Sequence, residues 1–209
     1  MNVLEAIASR RSTRWFDAKH DMPGETFRTL IAHAMLSPTA FNIQNWRFVR
    51  VTDPEQRKAI RAVAWDQAQV TDASELLVLC FDNKAWCRKP ERYWRNAPQE
   101  VQDFLLPALD EYYRDKPDIE RDEGMRSCGL VGQTIMLLAK ELGYESCPMD
   151  GFDFEAVGRL IRERMASEHA PRIPEVTAHL VEAGCKRLRF LKRRARLHAC
   201  RASLNRPAR

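Results

Sequence analysis

The apolar run Glu75-Leu76-Leu77-Val78-Leu79-Cys80-Phe81 constrains the fold more than any other stretch of this chain. A strand that carries apolar side chains on both faces must be covered on both sides. A second strand-like stretch, Arg47–Val51, precedes it, and segments with helical apolar spacing stand before and after it. Because helices and strands alternate with long crossovers, the 209 residues are predicted to form one layered α+β domain rather than a helix bundle.

Capping signals mark three helix starts. Asn2, with Glu5 three residues later, predicts a capping box at the start of a first helix, whose apolar face would carry Leu4 and Ile7. Asp53, followed by a proline, and Asp153 predict two further helix starts.

The helix with the clearest apolar register is predicted from Met125 to Leu142, with Gly143 as its stop. Gly129 and Gly132 lower its helix propensity, so we expect a partner helix or a flat ligand to approach their backbone closely. Residues 82–123 are charged and aromatic, and are predicted to form a helical excursion around Gln99–Arg114. Two interpretations remain open for this excursion: a lid, or an ordinary packed insertion.

Charge is distributed unevenly. Residues 184–209 contain ten Lys or Arg and no acidic residue, so the total of +5 leaves residues 1–183 with −5. The tail is interpreted as solvated and disordered; the alternative is docking on nucleic acid or an anionic membrane surface. Phe190 is the only aromatic residue of the tail, so base stacking and a nucleic-acid partner are not expected.

Cysteine usage and hydropathy indicate a cytoplasmic protein. The six cysteines form no CxxC pair and no His-Cys metal spacing, which is typical of free thiols in a reducing compartment. No run approaches the ~18 apolar residues of a transmembrane helix. The N-terminus has neither the basic nor the apolar part of a signal peptide.

Three guanidiniums and two hydroxyls stand together in Arg10-Arg11-Ser12-Thr13-Arg14. Arginine binds phosphate oxygens bidentately, and a hydroxyl can occupy the remaining position. The alternative is a solvated helix end with basic residues favoured by the helix dipole. Two later segments bear on this choice: an amide-rich loop at 37–46 and a turn at 148–153. Each alone indicates only a loop or a turn.

Together the three segments resemble the FMN-dependent nitroreductase family over roughly residues 2–162. The motifs that carry the resemblance are RRSTRWF at 10–16, SPTAFNIQNWRF at 37–48 and PMDGFD at 148–153. The resemblance implies an α+β fold, a three-layer α/β/α sandwich with a central, mostly antiparallel sheet, and an intertwined homodimer with flavins at its interface. It implies an FMN-binding domain, which we assign to residues 1–183 although the resemblance ends near residue 162, and the charge distribution sets residues 184–209 apart as a basic tail.

The implied FMN contacts come from both subunits. One subunit would supply the contacts to the phosphate and ribityl chain, from Arg10, Arg11, Ser12 and Arg14. The same subunit would contact the ring through Gln67, Asp150 and Gly151, with a backbone N–H aimed at N5. The second subunit would contribute Pro38, Thr39 and Asn42. Asp66 is a departure, because a carboxylate there would meet flavin carbonyl oxygens.

The implied activity is a ping-pong transfer of hydride from NAD(P)H, through flavin N5, to an electron-poor small molecule such as a nitroaromatic or a quinone. No protein nucleophile and no metal are expected. The alternatives are a catalytically impaired flavin-fold protein, or an anion-binding protein that acts through its basic tail.

The resemblance weakens at two places. Phe41 stands where relatives commonly have a small residue, which predicts a narrower pocket or a repacked loop, and Asn45 stands where they have proline. After Arg162 no strand is recognised, and Leu180 and Val181 are assigned to a short helix face. Our hypothesis is that a shifted reading frame has replaced the native C-terminus. We therefore expect the sheet to lack an edge strand and the protein to bind FMN weakly.

Overall fold

Strand β2 (Glu75–Phe81) lies inside a four-stranded sheet and is buried along its whole length. The structure is a computed structural model that describes residues 2–167 and 179–185, with side-chain surroundings for residues 2–163. Its other strands are β1 (Trp46–Arg50), β3 (Tyr144–Met149) and β4 (His179–Cys185). Its helices are α1 (Val3–Ser9), α2 (Gly24–Ala34), α3 (Pro54–Ala62), α4 (Gln69–Asp72), α5 (Gln99–Tyr113), α6 (Pro117–Glu141) and α7 (Phe154–Ser167).

The sheet has the order β1-β2-β4-β3, and each neighbouring pair is antiparallel. Successive side chains of β2 divide the core in two, because they point to opposite faces. Leu77 and Leu79 pack in a cluster with residues of α2 and α6, whereas Leu76 and Val78 pack with residues of α3 and α7. The predicted α/β/α sandwich with a mostly antiparallel sheet is confirmed.

The predicted helix starts are confirmed by their hydrogen bonds. Asn2 and Glu5 form a complete capping box, and Asp53 and Asp153 each accept a hydrogen bond from a backbone N–H in the first turn of the following helix. The apolar face of α1 does not enter the core of this chain. Ala6 is the buried residue of α1, whereas Leu4 and Ile7 are 78% and 54% exposed.

Helix α6 is longer than predicted, since it begins at Pro117 instead of Met125. Its end is as predicted, because Gly143 adopts the left-handed conformation (φ 85°) that follows a helix C-terminus. The glycine that permits close packing is Gly124, where an added Cβ would lie 2.2 Å from the ring of Phe81. A Cβ at Gly129 would meet none of the described atoms within 4 Å.

The expectation of a sheet without a C-terminal strand is wrong. Strand β4 lies in the sheet interior, where Val181 is in register with Leu77 of β2 and with Pro148 of β3. Local residue preference did not reveal it because strand formation depends on cross-strand neighbours, and β4 has one on each side. The strand also crosses the expected domain boundary at residue 183; the rest of the basic tail, 186–209, lies outside the described residues.

Residues 82–123 contain the predicted helix, α5, and are packed rather than detached. Leu109 and Tyr113 of α5 form a third apolar cluster with Ile43 and Trp86. Phe41 joins the edge of this cluster, with its ring centroid 5.4 Å from that of Tyr112. These contacts favour the packed insertion over the lid and tie the amide-rich loop to α5.

Candidate functional site

The Arg10–Arg14 segment begins at the C-cap of α1, Arg10, and continues as extended chain. Helix α1 ends at Ser9, and the chain then runs beside β3, where Ser12 forms a parallel bridge with Ser146. The backbone N–H of Thr13 donates to the carbonyl of Ser146 at 3.1 Å. Because the bridge is parallel, the segment runs in the same direction as β3, toward the turn that follows that strand.

The three guanidiniums of this segment differ in their surroundings. Nη1 of Arg10 is buried and has no hydrogen-bond acceptor among the described residues. Nη1 of Arg11 donates to the carbonyls of Ala8 and Arg10, at 2.8 and 2.7 Å, and so caps the C-terminus of α1. Arg14 is exposed. Buried donors are normally paired, so the orphaned nitrogen of Arg10 makes it the best candidate anion ligand of the three.

The turn after β3 is fixed by a contact from the α3–α4 connection. Nε2 of Gln67 donates to the carbonyl of Gly151 at 2.9 Å, and Oε1 of Gln67 accepts from Gln69 at 2.9 Å. The backbone N–H of Asp153 donates to the carbonyl of Val63 at 2.9 Å. Within the described residues the N–H of Gly151 has no acceptor, so it remains available to a ligand.

Gly151 is held in a space that admits no side chain. An added Cβ would lie 2.9 Å from both Nε2 of Gln67 and Cε3 of Trp65. Trp65 and Asp66 both have φ of 51°, a conformation that costs free energy for residues other than glycine and is concentrated at functional sites. Trp65 is 80% exposed, and no sequence pattern singled it out.

Asp66 is held by a neighbouring arginine. Its Oδ1 accepts from Nε of Arg61 at 2.7 Å, and its side chain is 83% exposed. A carboxylate at residue 66 is expected to repel the carbonyl oxygens of the flavin. The ion pair with Arg61 reduces this repulsion, because it partly neutralises the charge of Asp66. Gln67, not Asp66, contacts the Gly151 turn.

Pro38, Thr39 and Asn42 lie in a loop that is stabilised by its own side chains. The N–H of Gln44 donates to Oγ1 of Thr39 at 2.9 Å, and its Nε2 donates to Oδ1 of Asn42 at 3.1 Å. Among the described residues, no recorded hydrogen bond joins this loop to Arg10–Arg14 or to the Gly151 turn. Strand β3 thus connects two of the three predicted segments, and no hydrogen bond among the described residues connects the third segment to them.

The two unusual residues of this loop have structural roles. Phe41 adopts a left-handed conformation (φ 50°) and packs on α5, so the repacked loop is the alternative that the structure favours. Asn45 is buried, and its carbonyl accepts from the N–H of Asp82 at 2.8 Å. The loop is thereby joined to the end of β2.

Ser146 is a further candidate site residue that sequence reasoning missed. It is 1% exposed, it pairs through its backbone with the Arg10–Arg14 segment, and its Oγ is buried without a partner among the described residues. No local signal could have identified it, because its role follows from a pairing between segments more than 130 residues apart.

Neither a metal-binding cluster nor a membrane-spanning helix occurs in the described residues. No group of three His, Cys, Asp or Glu side chains is arranged to hold a metal ion in this part of the chain. None of the helices in residues 2–167 combines the length and hydropathy of a membrane span.

Known proteins share the sequence pattern of this chain. The model of the Nitroreductase family matches residues 7–169. The chain is 46% identical to Protein DrgA of Synechocystis sp. over 162 residues, which cover 78% of this chain and 77% of DrgA. It is 29% identical to MhqN of Bacillus subtilis, named as a candidate NAD(P)H nitroreductase, over 74% of this chain and 78% of MhqN.

Solved structures share the fold. A nitroreductase-fold protein of Exiguobacterium sibiricum 255-15, solved in complex with FMN, has a TM-score of 0.78 at 24% identity, over 94% of this chain and 93% of that one. The enone reductase CLA-ER, from gut-bacterial fatty acid saturation metabolism, has a TM-score of 0.73 at 22% identity, over 93% of each chain.

Proposed function

Because the chain belongs to the nitroreductase family, we propose that it is an FMN-dependent oxidoreductase that transfers hydride from NAD(P)H to an electron-poor small molecule. A nitroaromatic or a quinone is the proposed acceptor. The observation that carries the proposal is the buried, unpaired Nη1 of Arg10 at the start of a segment that runs beside β3 toward Gly151.

The residues present fit the phosphate end of FMN. Arg10 offers a buried donor without an acceptor, and Ser12 and Arg14 are exposed on the same extended segment. Charge-assisted hydrogen bonds from guanidiniums suit a dianionic phosphate. Arg11 contributes positive charge, although its Nη1 is engaged at the end of α1.

The residues near Gly151 fit the ring end. Gln67 holds the carbonyl of Gly151, which fixes the plane of the following peptide, while Asp150 is exposed beside it. The free N–H of Gly151 would donate to N5 of the ring. Bound FMN supplies the chemistry, since N5 accepts and returns the hydride. Cationic and N–H donors of this chain would stabilise the negative charge of the reduced ring.

We propose that the active unit is a homodimer in which Pro38, Thr39 and Asn42 of the second subunit complete each site. Two observations support it. Among the described residues, no hydrogen bond joins the loop that carries these residues to the other two segments of the same chain. In addition, Leu4 and Ile7 of α1 and Leu130 of α6 are about half exposed or more, and such apolar surface is typical of interfaces.

The proposed location is the cytoplasm. Cys80, Cys87, Cys128 and Cys147 are free thiols, which is the usual state in a reducing compartment.

The experiment is an absorbance spectrum of the purified dimer, followed by anaerobic addition of NADPH and then of a nitroaromatic or a quinone. We expect flavin absorbance that bleaches with NADPH and returns with the acceptor, and parallel lines in double-reciprocal initial-rate plots, as a ping-pong cycle requires. A colourless protein that stays colourless after incubation with FMN would overturn the proposal.

A further inference from the structure

A cleft of about 740 Å³ opens between the loop before β1 and the residues that follow the short 3₁₀ helix Pro90–Tyr93. Its lining contains three arginines, Arg47, Arg92 and Arg95, and no acidic residue. We call it the arginine cleft. It is separate from the Arg10–Arg14 segment and from the Gly151 turn, neither of which contributes to its lining.

Only one of the three arginines is neutralised by a carboxylate. Nη2 of Arg47 lies 3.3 Å from Oδ2 of Asp82, a 3%-exposed carboxylate that also pairs with Arg88. Arg92 contacts Tyr93: its Nη2 donates to the phenol oxygen at 2.5 Å, and its guanidinium carbon lies 4.6 Å from the ring centroid. In the described part of the chain, Arg92 and Arg95 have no carboxylate partner.

Two tryptophans that line the cleft have buried indole N–H groups that lack acceptors in the described part of the chain. Nε1 of Trp46 and Nε1 of Trp94 are both buried and unpaired among the described residues. Trp46 is only 7% exposed, so its indole N–H is a donor in an almost completely buried side chain that lines the cleft. Two arginines without a carboxylate partner and two unpaired indole N–H groups of the lining residues together favour a ligand that is anionic and rich in acceptors.

We propose that the arginine cleft binds a phosphate group of the dinucleotide reductant. This inference rests on the proposed function, because Asn42 lines the cleft and would also lie beside the flavin of the other subunit. Guanidiniums without carboxylates match a phosphate ester, and the flat side chains of Tyr93 and Trp94 offer stacking surfaces for adenine. The cleft is also large enough for a ligand much bigger than a nitroaromatic.

Two groups of the reductant share this chemistry: the 2′-phosphate that distinguishes NADPH from NADH, and the pyrophosphate present in both. The test uses the double variant Arg92→Gln/Arg95→Gln of the full-length protein. The matched control is Arg159→Gln, which removes an exposed arginine of α7 outside the cleft. Circular dichroism establishes that each variant is folded, and the FMN content establishes that it binds its cofactor.

The first measurement is steady-state kinetics with NADPH and with NADH. We expect the double variant to raise the KM for NADPH about tenfold, the effect of losing one charge-assisted hydrogen bond, with kcat and FMN affinity unchanged. An unchanged KM for NADH identifies the 2′-phosphate, and an equal rise with both reductants identifies the pyrophosphate. The Arg159→Gln control should keep both KM values.

The second measurement needs no turnover. Adenosine 2′,5′-bisphosphate and ADP are titrated while tryptophan fluorescence is followed, and Arg95→Lys, which retains the charge, should bind more tightly than Arg95→Gln. The proposal is overturned if neither fragment affinity nor KM for either reductant changes by more than about twofold in the double variant. It is also overturned if only the KM of an anionic acceptor, 4-nitrobenzoate, rises. Flavin content is measured separately, so a failure here is distinct from absence of FMN.

Discussion

The side-chain amide of Gln67 donates a hydrogen bond of 2.9 Å to the carbonyl oxygen of Gly151, 84 residues further along the chain. This bond links the α3–α4 connection to the turn after β3. Residue 151 has no room for a side chain, because an added Cβ would lie 2.9 Å from both Nε2 of Gln67 and Cε3 of Trp65.

Gly151→Ala should therefore displace the turn. The new Cβ would overlap Nε2 of Gln67 and the ring of Trp65, each 2.9 Å away, so one of them must move. We expect FMN affinity, measured by quenching of flavin fluorescence, to fall about tenfold or more, corresponding to at least about 1.4 kcal/mol. Gly24→Ala is the control, since its Cβ would meet only Arg28, at 3.5 Å. Equal FMN affinity in both variants would contradict the role of the turn.

Arg10→Gln should weaken FMN much more than riboflavin. The substitution removes a buried guanidinium nitrogen that we assign to the phosphate, and riboflavin has no phosphate. A charge-assisted hydrogen bond contributes about 1.5–3 kcal/mol, so we expect a roughly 10- to 150-fold loss in FMN affinity. Arg11→Gln should lower FMN affinity less, because Nη1 of Arg11 already caps α1. Titration of each variant with both flavins measures the difference, and equal losses for FMN and riboflavin would exclude the assignment.

The free energy of unfolding should decline in alkaline solution because of two buried thiols. Burial, with the neighbouring Cys128, raises the pKa of Cys80 from 9.0 to about 12, and burial raises the pKa of Cys128 to about 12. Between these values the unfolded chain loses protons that the folded chain keeps, so stability is complete below pH 9 and falls as the pH rises toward 12.

Cys80→Ala tests this pH dependence. Removing the thiol should make the alkaline decline shallower by up to about 1.4 kcal/mol per pH unit, and Cys128→Ala should act in the same direction. The measurement is urea denaturation at a series of alkaline pH values. The cavity left by the removed thiol lowers the free energy of unfolding by the same amount at every pH, and this amount is subtracted before the slopes are compared. Parallel curves for the wild type and both variants would show that these thiols do not contribute.

Val181→Pro should unfold the sheet from its interior. Residue 181 pairs with β2 on one side and with β3 on the other, and proline cannot donate a ladder hydrogen bond. We expect a loss of about 3 kcal/mol or more in the free energy of unfolding, measured by chemical denaturation. Wild-type stability of Val181→Pro would show that β4 is not paired on both sides in solution.

A truncation after Cys185, which retains β4, should keep FMN affinity, since every proposed FMN contact lies between residues 10 and 151.

Local signals predicted the helices well, and long-range pairings were missed. Asn2 and Asp153 cap helices through atoms within three residues in sequence, so their roles could be read from the sequence alone. The Ser12–Ser146 bridge and the Gln67–Gly151 hydrogen bond join distant segments, and no local pattern specifies either partner. The site residues near them were predicted from a family resemblance, whereas Ser146 and Trp65 were missed.

Strand β4 illustrates the same limit in the fold. Its residues were assigned to a helix face because their own preferences are weak, but the sheet supplies two partners that the sequence does not reveal. With β4 in place, the argument for an incomplete sheet with weak FMN binding no longer applies.

The position of β4 also affects how the chain can fold during synthesis. Strands β2 and β3 have no direct contact in the sheet, because β4 separates them, so their facing edges stay unpaired until residue 185 has left the ribosome. The sheet therefore cannot form completely until β4 pairs with both β2 and β3, after most of the domain has been synthesised. Such a nascent chain exposes open strand edges for most of its translation, and chaperone occupancy at stalled lengths just below and above this point should differ sharply.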